Sequence, residues 1–217
     1  ILEVFLSCPA IAAAAGTDVA GLVAEAARPE VVFAEPARAD SLVGVIAADP
    51  QGSLPELLGL IETPWALQFD IVRRCLERIG ESARLAVVNE LEAGPAPRRA
   101  ALLLVVFEKT GGPGYESLLS RYTASGEPSL TITALRVLAA FGEPAQSAEI
   151  ATPLLTHPSP QVRLAAAWAL GEICRREKTF SLPEKAVAGL NSLLKDSEPR
   201  VRLTAAETLA AAEERAK

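Results

Sequence analysis

The sequence predicts an all-α chain folded as a right-handed α-α superhelix of about five to six stacked helix pairs. Three observations carry this prediction. Of 217 residues, half are hydrophobic but only 5% aromatic, and Ala, Leu and Val dominate, which favours close-packed helices over a sandwich of β-branched and aromatic strands. Apolar residues recur at helical spacing rather than in strict alternation. Glycines end successive apolar segments at Gly80, Gly111 and Gly142, 31 residues apart each time, and self-similarity at such a period marks a stacked repeat. Each of these glycines is expected to take the left-handed backbone that closes a helix.

Residues 1–217 read as one repeat domain, in which 1–47 are divergent and 48–217 carry recognisable repeats. In the divergent part, Thr17-Asp18 before VAGLVAEAA and Ala39-Asp40-Ser41 before LVGVIAA read as helix starts, because a short polar side chain there accepts from first-turn amides. Residues 67–79 and 98–107 keep helical periodicity and run up to a glycine. Within the second, AALLLVVF at 100–107 is apolar at eight consecutive positions, with Leu104 near its centre. Such a run is either a central helix covered on all sides or an exposed strip that receives a partner helix.

The pattern sharpens toward the C-terminus. Residues 129–141 form one second helix, and 148–156, the turn His157-Pro158-Ser159-Pro160 and 161–175 form the best-preserved pair. Residues 182–194, a turn at 195–199 and 200–213 repeat it. Setting Val162 on Val201 aligns Arg163 with Arg202, Leu164 with Leu203, Ala166 with Ala205, Ala167 with Ala206 and Leu170 with Leu209, six matches in nine. The offset is 39 because RREKTFS lengthens the linker. Val162, Ala165, Ala166, Ala169, Leu170 and Ile173 form one stripe, which a single helix cannot bury alone; pairing and stacking bury it. Pro160 and Pro199 fall in or just before a first helical turn, where a missing amide costs nothing.

VRLAAAWALGEI and VRLTAAETLAAA resemble HEAT repeats, of the short bacterial kind also found in phycobilin lyases. The resemblance implies that Arg163, Asp196 and Arg202 are ladder positions tying one repeat to the next. Thr131 replaces the arginine one repeat earlier, and Arg99 is its nearest equivalent further back. It also implies that second helices line a concave face. Leu164 and Trp168 lie off the core stripe on that face, with Ile132 and Arg136, and Leu203 and Glu207, at equivalent positions. Leu104, Arg136, Leu164, Trp168, Leu203 and Glu207 are therefore the candidate partner-binding residues, although packing between adjacent second helices accounts for Trp168 equally well.

Other chemistries find little support. His157 is the single histidine, and Cys8, Cys75 and Cys174 are too few and too far apart for a zinc knuckle or disulfide framework, so no metal or cofactor is expected. The same shortage of ligands speaks against the dinuclear-iron HEAT hydroxylases. Gly111-Gly112-Pro113-Gly114 lacks the Lys-Ser or Lys-Thr of a phosphate loop, and no nucleophile or acid-base constellation stands out. The net charge of −6 and pI near 5.0 argue against a nucleic-acid binder, including a HEAT-like DNA glycosylase gripping a duplex with basic residues. Residues 1–60 hold two basic and eight acidic side chains, against nineteen of each from 61 onward, which fits either steering of a basic partner or a solvated acidic cap.

No stretch is long and apolar enough for a membrane span. ILEVFLSCPAIAAAA at 1–15 reads as an ordinary first helix of a cytoplasmic protein, or as the remnant of an export or lipid-attachment signal. Its apolar character also suggests self-association there, whereas AAAEERAK reads as a polar end. The functional expectation is a noncatalytic scaffold that binds a protein partner through its second helices. The alternative is a phycobilin-lyase-like or other accessory factor that binds a small apolar ligand.

Overall fold

The computed structural model describes residues 18–213, so the apolar opening at 1–15, Cys8, Thr17 and the residues after 213 lie outside the described part. Thirteen α-helices, one 3-10 turn and no strand are found among the described residues. Contacts divide the chain into two compact units at residues 90 and 91.

In the first unit, α1 (Val19–Ala26), the short α2 (Pro29–Ala34), α3 (Pro36–Ala47), α4 (Pro50–Gly59) and α5 (Ala66–Ile79) follow one another. The first helices α1 and α4 pack together, the second helices α3 and α5 pack together, and each pair closes on itself. Asp18 accepts from the Gly21 amide at 2.8 Å and Asp49 from Gly52 at 3.2 Å, both as side-chain caps. Asp40 is not a cap. The helix starts earlier, at Pro36, because proline preorganises the first helical residue, and Asp40 then sits inside α3, where it pairs with Arg74 of α5. Helix α6 (Glu81–Glu92) runs across the division.

The second unit contains α7 (Pro97–Thr110), α8 (Glu116–Thr123), α9 (Pro128–Phe141), α10 (Pro144–Ala151) with the 3-10 turn Thr152–Thr156, α11 (Pro160–Arg176), α12 (Glu184–Leu193) and α13 (Pro199–Glu213). The second helices α7, α9, α11 and α13 stack in sequence. On one side lie α8, α10 with its 3-10 turn, and α12, each packed on the second helix of its own pair. This two-layer order follows from the predicted stripe: Val162, Ala165, Ala166, Ala169, Leu170 and Ile173 are all buried. Alanine supplies much of the core between α9, α11 and α13, which lets the backbones approach closely. Thr208 shows how closely: its hydroxyl donates to the Ala167 carbonyl at 2.9 Å, and a Cβ on Gly171 would stand 2.7 Å from the same oxygen.

Two of the three periodic glycines behave otherwise than expected. Gly80 has φ +74° with ψ −122°, so it takes the positive φ expected of it, in a region open to glycine but outside the left-handed helical one. Gly111 and Gly142 have φ −65° and −67°, open to any residue. They are small because space is short: a Cβ on Gly142 would lie 2.1 Å from Ser147 Oγ and 2.8 Å from the Leu138 carbonyl, and one on Gly111 would lie 2.6 Å from the Phe107 carbonyl.

Candidate functional site

The turns of the second unit are held by arginine. Arg163 at the start of α11 donates from Nε and Nη2 to both carboxylate oxygens of Asp196, at 2.7 and 2.9 Å, reaching from one helix pair to the turn of the next. Its Nη1 donates to the carbonyls of His157 and Pro158 at 2.9 and 3.0 Å. Arg202 repeats that last arrangement one pair later, donating to the carbonyls of Asp196 and Ser197 at 2.7 and 3.1 Å. The forked guanidinium satisfies both the facing carboxylate and turn carbonyls that lack helical partners. Arg163 holds the Asp196 carboxyl below the usual carboxylate range, helped by the Glu198 amide. Thr131, at the equivalent place on α9, is buried and donates to Thr123 and Glu127 carbonyls, both at 3.2 Å. It closes its own turn without linking to the next pair.

The exposed side of the second helices carries a groove. Ile132 and Arg136 of α9, Leu164, Ala165 and Trp168 of α11, and Thr204 of α13 line an open cleft of about 300 Å³. Leu164 also walls a smaller hollow of about 170 Å³, shared with Gln161, Glu198, Arg200 and Val201 at the starting ends of α11 and α13. Trp168 is 36% exposed, while Leu164 and Ile132 pack their inner sides against the core and so form a fixed floor. Arg136 donates to Glu108 of α7 at 2.7 Å, and the pair is lopsided: the arginine side chain is 52% exposed and the glutamate 14%. The arginine head is thereby anchored at the groove wall with much of its surface still open to solvent.

Of the six candidate partner-binding residues, the structure brings three together in this groove: Arg136, Leu164 and Trp168. Leu203 and Glu207 lie on α13, exposed, but outside its lining. Their helix offers Thr204 instead, one position round from Leu203, which the alignment of Ala165 with Thr204 could have singled out. Leu104 corrects the expectation. It is fully buried, as are Leu103, Val106 and Phe107, and the ring of Phe107 meets Tyr115 edge-on at 5.2 Å, so α7 is a covered central helix and not an exposed strip.

The reactive side chains have structural surroundings. Burial pushes the Cys75 thiol up to about 12, where it stays protonated, and Cys174 is buried too. His157 accepts the Ser159 amide on Nδ1 at 3.1 Å within its turn. Among the described residues no group of three or more His, Cys, Asp or Glu could hold a metal ion, and no helix is long and apolar enough to cross a membrane.

Residues 115–183 match the family described as HEAT repeats. No curated protein matches the chain. Among solved structures, a designed armadillo repeat protein in complex with the peptide (KR)4 is 13% identical, with 90% of this chain and 99% of that chain covered and a TM-score of 0.50. A second designed armadillo repeat protein is 12% identical, covering 89% and 99%, at a TM-score of 0.47. The first of these likenesses supports the fold, a stack of helical repeats.

Proposed function

We propose that this chain, a HEAT-repeat protein across residues 115–183, is a noncatalytic scaffold that holds a segment of a partner protein on the second-helix face of its C-terminal unit. The observation that carries the reading is the groove across α9, α11 and α13, where an apolar floor of Ile132, Leu164 and Ala165 is walled by a half-open tryptophan and an anchored arginine. Tryptophan and arginine are the side chains most often found at energetic centres of protein interfaces. An elongated occupant fits better than a compact one, because the groove crosses successive helices that packing sets about 8–10 Å apart. The armadillo relative that holds a peptide supports the same kind of partner. A small apolar ligand is the less favoured occupant, since an open cleft of about 300 Å³ stands at the lower end of the range for enclosed ligand sites.

The test is capture from native lysate by the wild-type protein and by a Leu164→Glu, Trp168→Glu variant with unchanged circular dichroism, followed by reconstitution with the purified partner. The expected result is a partner that binds the wild type directly and the variant at least about a hundredfold more weakly, the loss expected when two central anchors are removed. Equal affinity for both proteins would show that the groove is not the contact.

A further inference from the structure

Helix pairs of the second unit stack through one repeated contact, and the pair α12–α13 carries the forward half of that contact at its surface. A shift of 39 residues sets this pair on the one before it. In the earlier pair Leu155 is 1% exposed and lies against α12, where a Cβ on Gly189 would stand 2.6 Å from its Cδ1. Leu164 packs on the core that includes Val201 and Ala205 of α13, and Ala167 and Gly171 are buried where Thr208 of α13 meets them. The equivalent residues one pair later are Leu194, 40% exposed, Leu203, 61% exposed, and exposed Ala206 and Ala210. They present the same stacking face to solvent.

The polar part of the contact is open in the same way. Arg163 gives Nη1 to its own turn carbonyls and commits Nε and Nη2 to Asp196, in the turn of the next pair. Arg202 stands at the equivalent place. Its Nη1 repeats the bonds to turn carbonyls, whereas its Nε and Nη2 donate to no described residue. The turn beside it holds exposed Lys195 and Arg200 against exposed Glu198, while Asp196 is already neutralised by Arg163. The field at the arginine fork therefore favours a carboxylate.

We propose that this face docks a helix pair of a partner protein, one with a carboxylate in the turn between its two helices. The carboxylate takes the Nε and Nη2 fork of Arg202 as Asp196 takes that of Arg163. A small residue of the partner's first helix sits on Leu194 as Gly189 sits on Leu155, and its second helix covers Leu203, Ala206 and Ala210. Repeat arrays with nothing stacked on them end on a polar outer face, from which two exposed leucines in register depart. Glu207 stands where α11 has Trp168, so the face is more polar than the one α13 covers within the chain. That is the character of an interface that opens to water and takes its partner reversibly. The face uses the side of α13 turned away from α11 and does not depend on the groove proposed above.

The probe is a synthetic peptide of residues 182–213, which carries the Gly189 helix and the Asp196 turn. Followed by heat, the wild-type protein is expected to bind it saturably. Asp196→Asn in the peptide, or Leu203→Glu in a protein with an unchanged melting curve, should each weaken binding by about tenfold or more. A second format removes any dependence on the peptide's own folding. Residues 175–213 are repeated after residue 213, which continues the 39-residue register and holds the added pair at high local concentration. Amide exchange in the added pair is then slowed, and Leu203→Glu in the first copy of α13 releases it. Either format giving its expected pair of results sustains the proposal. Binding in neither, or binding and protection that survive Leu203→Glu, overturns it. So does self-association of the wild type that Leu203→Glu abolishes in sedimentation, because the face would then belong to a second copy.

Discussion

Arg163 shows how much one side chain contributes when its geometry matches several needs at once. It bridges two helix pairs through Asp196 and also serves the turn carbonyls of His157 and Pro158, with 15% of its own side chain and 6% of the aspartate's exposed. Arg163→Ala is expected to cost about 2–3 kcal/mol in urea unfolding, because it removes charge-assisted bonds and leaves a nearly enclosed carboxylate without its cation. Arg163→Lys should recover less than half of that, since an ammonium cannot fork. The pH dependence follows from the sign of the Asp196 shift. Its carboxyl titrates lower in the folded state than in the unfolded chain, so its contribution is complete above the ordinary value of 3.8 and is lost as pH falls through the folded one. Asp196→Asn should therefore lower stability at neutral pH and flatten the acid limb of a stability-versus-pH curve; an unchanged limb would show that other carboxylates govern it. Arg163 and Arg202 stand out in the sequence because they recur in register, but it is the resemblance to HEAT repeats that marks them, with Asp196, as ladder positions. Thr131 departs from it because a hydroxyl reaches its own turn and no further. Leu104 was not legible: in a run apolar at every position, periodicity contains no information about which side faces out.

At the scale of the helix, proline does much of the punctuation. Eight helices begin on it, α2, α3, α4, α7, α9, α10, α11 and α13, which fixes the start of each without a side-chain cap being required. Helix ends are set by two different physical causes that look alike in sequence. Gly80→Ala is expected to cost about 1–3 kcal/mol through its positive-φ backbone alone, with nothing near its Cβ. Gly142→Ala is expected to cost about 1–3 kcal/mol through crowding by Ser147 Oγ and the Leu138 carbonyl. A second change separates the two: Ser147→Ala should return part of the Gly142→Ala loss and none of the Gly80→Ala loss, as measured by thermal unfolding of the four proteins. The 31-residue interval locates both glycines, but only the neighbouring helix pair distinguishes strain from lack of room. The groove was partly legible for the same reason. Trp168 and Leu164 stand off the core stripe and mark the face, whereas the choice of Thr204 over Leu203 as the third wall depends on how α13 rotates against α11.

For the molecule as a whole, each second helix of the C-terminal unit touches mainly the second helices before and after it, and stability is a sum of neighbour terms. Destabilisation should therefore stay where it is introduced. Leu190 of α12 is fully buried in the core shared with α11 and α13. Leu190→Ala removes a side chain from that core at a cost of about 2–5 kcal/mol. In a chain with one cooperative core, such a loss would raise amide hydrogen exchange everywhere by the same factor. In a stack it raises exchange most in α12 and α13, less in α11, and leaves α1 to α5 at their wild-type protection, because those helices form a separate compact unit. Exchange read by mass spectrometry on peptides from 19–79 and 184–213 decides the matter. Equal acceleration in both would mean that the two units unfold as one, whereas confinement to the C-terminal helices would mean that an occupant of the proposed groove tightens α9, α11 and α13 and little else.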